Sequence, residues 1–73
     1  MDSKDTRRAA RFSKGDRVAI KRVPAYLRDR VQVGNVGTVT GVTFGYGNRW
    51  NLNVDFDGIG EHMMLAEGTF RKA

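Results

Sequence analysis

The chain has 73 residues, a net charge of +5 and no cysteine. This length allows one domain around a single small core, and the lack of cysteine excludes a disulfide framework and thiolate metal sites. The apolar runs, such as Met63–Ala66, are too short to cross a membrane as a helix, and the polar start does not have the apolar stretch of a secretory signal. We therefore expect a soluble protein of the cytoplasm.

Positive charge is concentrated in the first half of the chain. Residues 1–33 contain ten Lys or Arg and four Asp, which gives +6, whereas residues 34–73 contain three Lys or Arg and four acidic residues, which gives −1. This asymmetry predicts an anionic partner for the N-terminal half, either nucleic acid or an acidic protein surface. The alternative is that these side chains serve only to keep a small protein soluble.

The first residues, 1–11, have no aromatic or β-branched aliphatic side chain. Such a segment cannot bury enough apolar surface to order itself, so we expect a flexible basic tail. A short helix over residues 5–11 is the alternative. Phe12 is the first anchor, and residues 12–73 form the predicted domain.

Strand one is predicted from about Asp16 to Val23, with Val18 and Ile20 on one face, and ends before Pro24, which has no N–H for a ladder. Residues 25–33 are compatible with a helical turn, an extended loop or a strand. We favour a loop with one turn of helix.

Gly34 and Gly37 flank strand two, which runs to about Val42. A hairpin connection at residues 45–48 follows, since glycine and asparagine accept positive φ at little cost. Strand three, Arg49–Phe56, alternates strictly between apolar and polar residues.

A turn at residues 57–60 leads to strand four, about Glu61 to Leu65, and a second tight turn leads to a short final strand, Thr69 to Arg71. Five short strands separated by glycine-rich turns predict an all-β fold, a small five-stranded barrel. The expected core consists of Phe12, Val18, Ile20, Val36, Val39, Val42, Trp50, Leu52, Val54, Phe56, Leu65 and Phe70.

The strand pattern resembles two families that share the Src-homology-3-like barrel. Lys14–Ile20 followed by Val33–Val39 is similar to the KOW-type modules of ribosomal proteins and transcription elongation factors, with a glycine-aspartate step and then a Gly-x-x-Gly-x-Val segment. Gly15–Leu65 is similar to the reaction-centre subunit IV family of photosystem I, through Gly37–Val39 and Val54–Phe56 among others. The resemblance implies the barrel fold and says little about activity, because the shared positions are structural glycines and core residues.

Catalytic and metal-binding patterns are scarce. His62 is the single histidine and has no cysteine or suitably spaced serine to activate. Asp55, Asp57, Glu61 and His62 lack the order of a calcium loop, and Asp57-Gly58 is better explained as a turn. Gly45–Gly47 precedes a strand, whereas phosphate-cradling loops precede a helix. The sequence thus predicts a non-enzymatic protein without metal or cofactor.

The resulting hypothesis is a binding module that engages nucleic acid or the transcription apparatus, similar in size and charge to small transcription regulators. Basic residues would contact phosphates or carboxylates, and two tyrosines with one arginine would stack or fit the partner. The first alternative is a protein-docking subunit of a larger assembly that touches no nucleic acid, with an acidic face of a transcription-machinery subunit as one partner. A small enzyme built at a symmetry axis of an oligomer is the second. The predicted contact residues are Lys14, Arg17, Lys21, Arg22, Tyr26, Arg28, Arg30, Tyr46 and Arg49.

Overall fold

The computed structural model describes residues 9–73, apart from the side chain of Tyr46. Residues 1–8, and with them most of the predicted tail, lie outside the described residues. The described chain is all-β and contains no α-helix, as the sequence predicts. Its strands are β1 (Arg17–Ile20), β2 (Val36–Phe44), β3 (Trp50–Phe56), β4 (Gly60–Ala66) and β5 (Phe70–Lys72).

The connections before β2, β3 and β5 each contain one short turn, and the first and the third of these are single turns of 3-10 helix. The first, Ala25–Leu27, lies between β1 and β2, where the sequence predicts a loop with one helical turn. The second, Tyr46–Asn48, forms the predicted hairpin between β2 and β3. The third, Glu67–Thr69, replaces the predicted tight turn before β5. We name residues 21–35, which join β1 to β2, the basic loop.

The sheet is antiparallel throughout, with the strand order β4-β3-β2-β1-β5. Within residues 9–73, β4 and β5 each pair with a single strand, so the ladder is open and does not close into the predicted barrel. β5 has only three residues, and the chain passes from β4 to β5 through the 3-10 turn Glu67–Thr69 and not through a hairpin, so these two strands do not pair.

Two β-bulges bend the sheet, and both lie opposite Asn53. The pairing register shifts between Val39 and Gly41 of β2, and again on the β4 side between the partners of Leu52 and Val54. The Thr40 hydroxyl donates to the Asn53 carbonyl oxygen at 3.2 Å, and the Asn53 side-chain oxygen accepts the N–H of Met64 at 3.0 Å. Bulges increase local twist and re-aim side chains, so Asn53 marks the point where the sheet curls.

The core agrees with the predicted one at most positions. Leu52, Val54 and Phe56 of β3 are fully buried, as the alternation of this strand predicts. The buried apolar residues are Phe12, Val18, Ala19, Ile20, Leu27, Val31, Val39, Leu52, Val54, Phe56, Leu65 and Phe70.

Three predicted core residues are only partly buried. Val36 lies on the opposite side of β2 from Val39, because adjacent strand positions alternate and these two are three apart. Val42 packs against the margin of the core. Trp50 pairs with Phe44 at the hairpin end of the sheet, where their rings meet edge to face at 5.2 Å, beyond the buried layer.

The glycines that frame the first strands have the roles that the sequence assigns to them. Gly34 has φ +95°, a conformation that side chains rarely adopt. At Gly37 a Cβ would lie 2.6 Å from the Asp55 carbonyl oxygen and 2.9 Å from the Phe56 Cα. Only glycine lets β2 approach β3 so closely.

Phe12 is buried, as predicted for the first anchor. The N–H of Arg11, the last residue of the predicted tail, donates to the Glu67 carboxylate at 2.9 Å. No helix in the described part of the chain combines the length and apolar character that crossing a membrane requires.

Candidate functional site

A groove of about 830 Å³ lies between the start of the basic loop, β4 and the last 3-10 turn. This volume falls within the usual range of ligand pockets, about 300–1,000 Å³. Its lining combines exposed apolar side chains with two arginines and a buried carboxylate. The lining residues are Arg22, Val23, Pro24, Tyr26, Arg49, Met63, Met64, Ala66, Glu67, Gly68 and Thr69.

Backbone hydrogen bonds hold the basic loop beside the last 3-10 turn. The N–H groups of Lys21 and Arg22 both donate to the Thr69 carbonyl oxygen, at 2.7 and 3.3 Å. Farther along, Leu27 and Val31 are buried, and the Val31 N–H donates to the Leu27 carbonyl oxygen at 2.9 Å. These two apolar anchors, four residues apart, leave residues 28–30 exposed on the outside.

The structure brings three of the nine predicted contact residues together at the groove: Arg22, Tyr26 and Arg49. Lys21, Arg28 and Arg30 belong to the same basic loop and are exposed. Within residues 21–35 there are four Lys or Arg and one Asp. The loop is therefore a concentrated positive surface next to the groove.

Arg17 lies elsewhere and its charge is engaged within the protein. Its guanidinium forms a two-point ion pair with Asp57, with contacts of 2.9 and 2.5 Å, and also donates to the Thr38 hydroxyl at 2.9 Å. The hydrogen bond from Arg17 lowers the pKa of Asp57, and the same bond raises the pKa of Arg17. Lys14 is exposed in the turn that precedes β1, three residues before Arg17.

Arg49 is positioned by its neighbours in the hairpin. Gly47 has φ +69°, and a Cβ there would lie 3.2 Å from the guanidinium carbon of Arg49, so the bare glycine gives this side chain room. The buried Asn51 donates through Nδ2 to the Arg49 carbonyl oxygen at 3.3 Å. Tyr46 is also predicted to stack on a partner, but its side chain lies outside the described part of the structure.

The sequence reasoning missed Met63 and Met64 as groove residues. A regular strand would place one of them inside, but the bulge opposite Asn53 gives Met64 φ +61° and leaves both side chains exposed, with Leu65 buried next. The one feature of the sequence that could have identified them is that two methionines are adjacent in a predicted strand. Neighbouring strand residues face opposite sides of the sheet, so one of the two had to face outward.

Glu67 was also missed, since Ala66-Glu67-Gly68 indicates only a turn. Its side chain is 3% exposed, and its carboxylate accepts the Arg11 N–H. Glu67 thus joins the start of the domain to the groove.

His62 and its neighbours do not form a metal centre in the described chain. His62 is half-buried and its ring meets that of Phe56 edge to face at 6.0 Å. No group of three or more His, Asp or Glu side chains comes together within residues 9–73.

Comparisons of the chain with protein-family models, with curated proteins and with solved structures found no match. The groove and the basic loop are therefore the observations from which a function can be argued.

Proposed function

We propose that this protein is a non-enzymatic binding module that engages nucleic acid through the basic loop. The observation that carries the proposal is the exposure of Lys21, Arg28 and Arg30 on one loop that buried anchors hold against the domain. Cations on an anchored loop bind phosphates without the full cost of ordering a free segment. The contacts would be to the sugar-phosphate backbone, which gives affinity without sequence selection.

The proposed architecture is a Src-homology-3-like sheet of five strands that stays open and is not a closed barrel. Its support is the strand order, in which β1 lies between β2 and β5, and the 3-10 turn directly before β5. Small β-domains of this kind act as platforms whose loops carry the binding residues. The long loop between β1 and β2 is the element that carries them here.

Tyr26 adds a surface for a base. It is 71% exposed, whereas tyrosine is a residue of intermediate burial in folded proteins. It lies two residues before Arg28, and an aromatic ring beside cations is the arrangement that single-stranded nucleic acid uses for stacking. Arg17 is not expected to contribute fully, because Asp57 already neutralises its charge.

The test is a titration of labelled single-stranded DNA and RNA oligonucleotides, followed by fluorescence anisotropy. Between about 50 and 200 mM salt we expect affinity to fall at least tenfold, because each phosphate contact releases a counterion. The double variant Arg28→Glu, Arg30→Glu should abolish binding to any sequence. The matched control is Arg71→Glu with Lys72→Glu, the same charge change on exposed residues of β5.

Equal losses in the two double variants would contradict the proposal, since they would show a response to net charge alone. Absence of binding at low salt would contradict it as well. If a pull-down then retained a protein partner after nuclease treatment, such as a transcription-machinery subunit with an acidic face, the module would be a protein-docking subunit.

A further inference from the structure

The groove gathers most of the exposed apolar surface of the described chain. Among the side chains that the structure describes, five large apolar ones are exposed, and three of them, Tyr26, Met63 and Met64, line this groove. The other two, Val33 and Ile59, are not among its lining residues. Exposed apolar side chains that cluster in a concave site, rather than scatter singly, indicate a contact surface.

The charge at this groove selects the kind of partner. Arg22 and Arg49 are both exposed and come from different parts of the chain, the basic loop and the hairpin that precedes β3. Arginine binds carboxylates through two parallel hydrogen bonds. A phosphate backbone would use these arginines but not the methionine thioethers, whereas an acidic peptide with an apolar side chain would use both.

We propose that the groove is a docking site for an acidic, apolar peptide segment of a partner protein. An apolar side chain of the peptide packs against Met63, Met64 and Tyr26, and flanking carboxylates pair with Arg22 and Arg49. Unbranched methionines adapt to side chains of different shape, so the site favours an apolar class rather than one residue type. This site shares Arg22 and Tyr26 with the basic loop but does not include Arg28 and Arg30, so variants at Arg28 and Arg30 test the nucleic-acid proposal separately.

The backbone of β4 argues against a second copy of the chain as the occupant. Pairing between edge strands needs a regular row of free backbone groups, but the Met64 N–H is already bonded to Asn53 and Met64 has a positive φ. A second copy would also bring a net charge of +5 to a groove that holds two arginines. Side-chain docking of an acidic segment avoids both obstacles.

The experiment uses the full chain and a labelled 12-residue peptide in which Leu alternates with Glu and Asp. Anisotropy measures affinity at about 150 mM salt, where charges beyond about 8 Å are screened. Two comparison peptides replace either every Leu by Ala or every acidic residue by Lys. We expect saturable binding of the first peptide only, with amide shifts in NMR spectra confined to residues 22–26, 49–50 and 63–69.

Variants then locate the site. Met63→Ser should weaken binding about tenfold, and so should Arg49→Glu. Their matched controls are Val33→Ser, an exposed apolar residue outside the groove, and Arg71→Glu, an exposed arginine on β5. Both controls should stay within about twofold of the wild type. The Arg28→Glu, Arg30→Glu variant should keep peptide binding, which separates this site from the proposed nucleic-acid surface.

Three results would overturn the proposal. The first is equal binding of the Ala-substituted acidic peptide, which would reduce the interaction to charge. The second is the same affinity for Met63→Ser and Val33→Ser, which would show that the groove takes no part. The third is displacement of the peptide by a single-stranded oligonucleotide that shifts the amides of residues 49–50 and 63–69, which would assign the groove to nucleic acid.

Discussion

The two ends of β1 carry the same kind of charge and use it differently. At the N-terminal end, the Arg17 guanidinium binds the Asp57 carboxylate and the Thr38 hydroxyl, so its positive charge is paired with a carboxylate of the same chain. At the C-terminal end, Lys21 and Arg22 begin a loop with four cations, one acidic residue and an adjacent groove of exposed methionines. The first end is paired with groups of neighbouring strands and turns, and the second is exposed beside the groove.

This difference shows that net charge in the sequence is a poor guide to which cations are available. All five of these basic residues lie in the half of the chain that the sequence predicts as the contact surface. Arg17 differs only because β2 and β3 bring Thr38 and Asp57 to it from positions 21 and 40 residues away. Availability depends on which partners folding delivers.

The largest expected effect is at the anchor of the exposed end. Leu27→Ala should lower the free energy of unfolding by about 3 kcal/mol, because it empties a fully enclosed site, and this is a large share of the stability of a small domain. The matched control is Tyr26→Ala, next in sequence but exposed, which should change stability by less than about 0.5 kcal/mol. Urea denaturation measures both. Similar midpoints for the two variants would mean that the basic loop is not anchored.

An intermediate effect is expected for Trp50→Ala. Full burial of this ring, as the sequence predicts, would cost about 3–5 kcal/mol on truncation. Because the ring is only half-buried and meets Phe44 at its edge, we expect about 1–2 kcal/mol and a folded variant. Thermal unfolding followed by circular dichroism distinguishes the two values. If the variant is instead largely unfolded, Trp50 is a core residue, as the sequence predicts.

The smallest expected effect is at the paired end and depends on pH. The pKa of Asp57 is lowered below its ordinary value of 3.8 by the hydrogen bond from Arg17, so the pair stabilises the fold above that value and loses this contribution as the pH falls and Asp57 is protonated. Asp57→Asn should therefore melt slightly below the wild type at neutral pH, and this difference should shrink as the pH falls and Asp57 becomes protonated. Both side chains are more than half exposed, which keeps the difference small.

Asp29→Asn, an exposed carboxylate of the basic loop, serves as the control for this measurement. It should not reproduce the pH profile. A stability difference between Asp57→Asn and the wild type that persists at low pH would show that the effect is not electrostatic.

Much of the fold could be predicted from local rules. The strict alternation of Trp50–Phe56 places Leu52, Val54 and Phe56 in the core because successive strand residues face opposite sides. The roles of Gly34 and Gly37 can likewise be predicted. Gly34 has a positive φ, and Gly37 lies so close to β3 that no Cβ fits there. Of the candidate site, the sequence identified Arg22, Tyr26 and Arg49 by residue type and charge alone.

Other features depend on contacts between residues far apart in the chain. Leu27 and Val31 lie in a segment without a clear period, and only packing against the sheet buries them. Met63 and Met64 are both exposed because a bulge opposite Asn53 breaks the alternation of β4. Glu67 is buried, and the hydrogen bond that its carboxylate accepts comes from the backbone N–H of Arg11, 56 residues earlier. The strands, the turns and the inward face of β3 can be predicted from the sequence, since they follow from local conformation. The pairing of Arg17 with Asp57, the open edges of the sheet and the position of the groove cannot, because each depends on groups that only folding brings within contact distance.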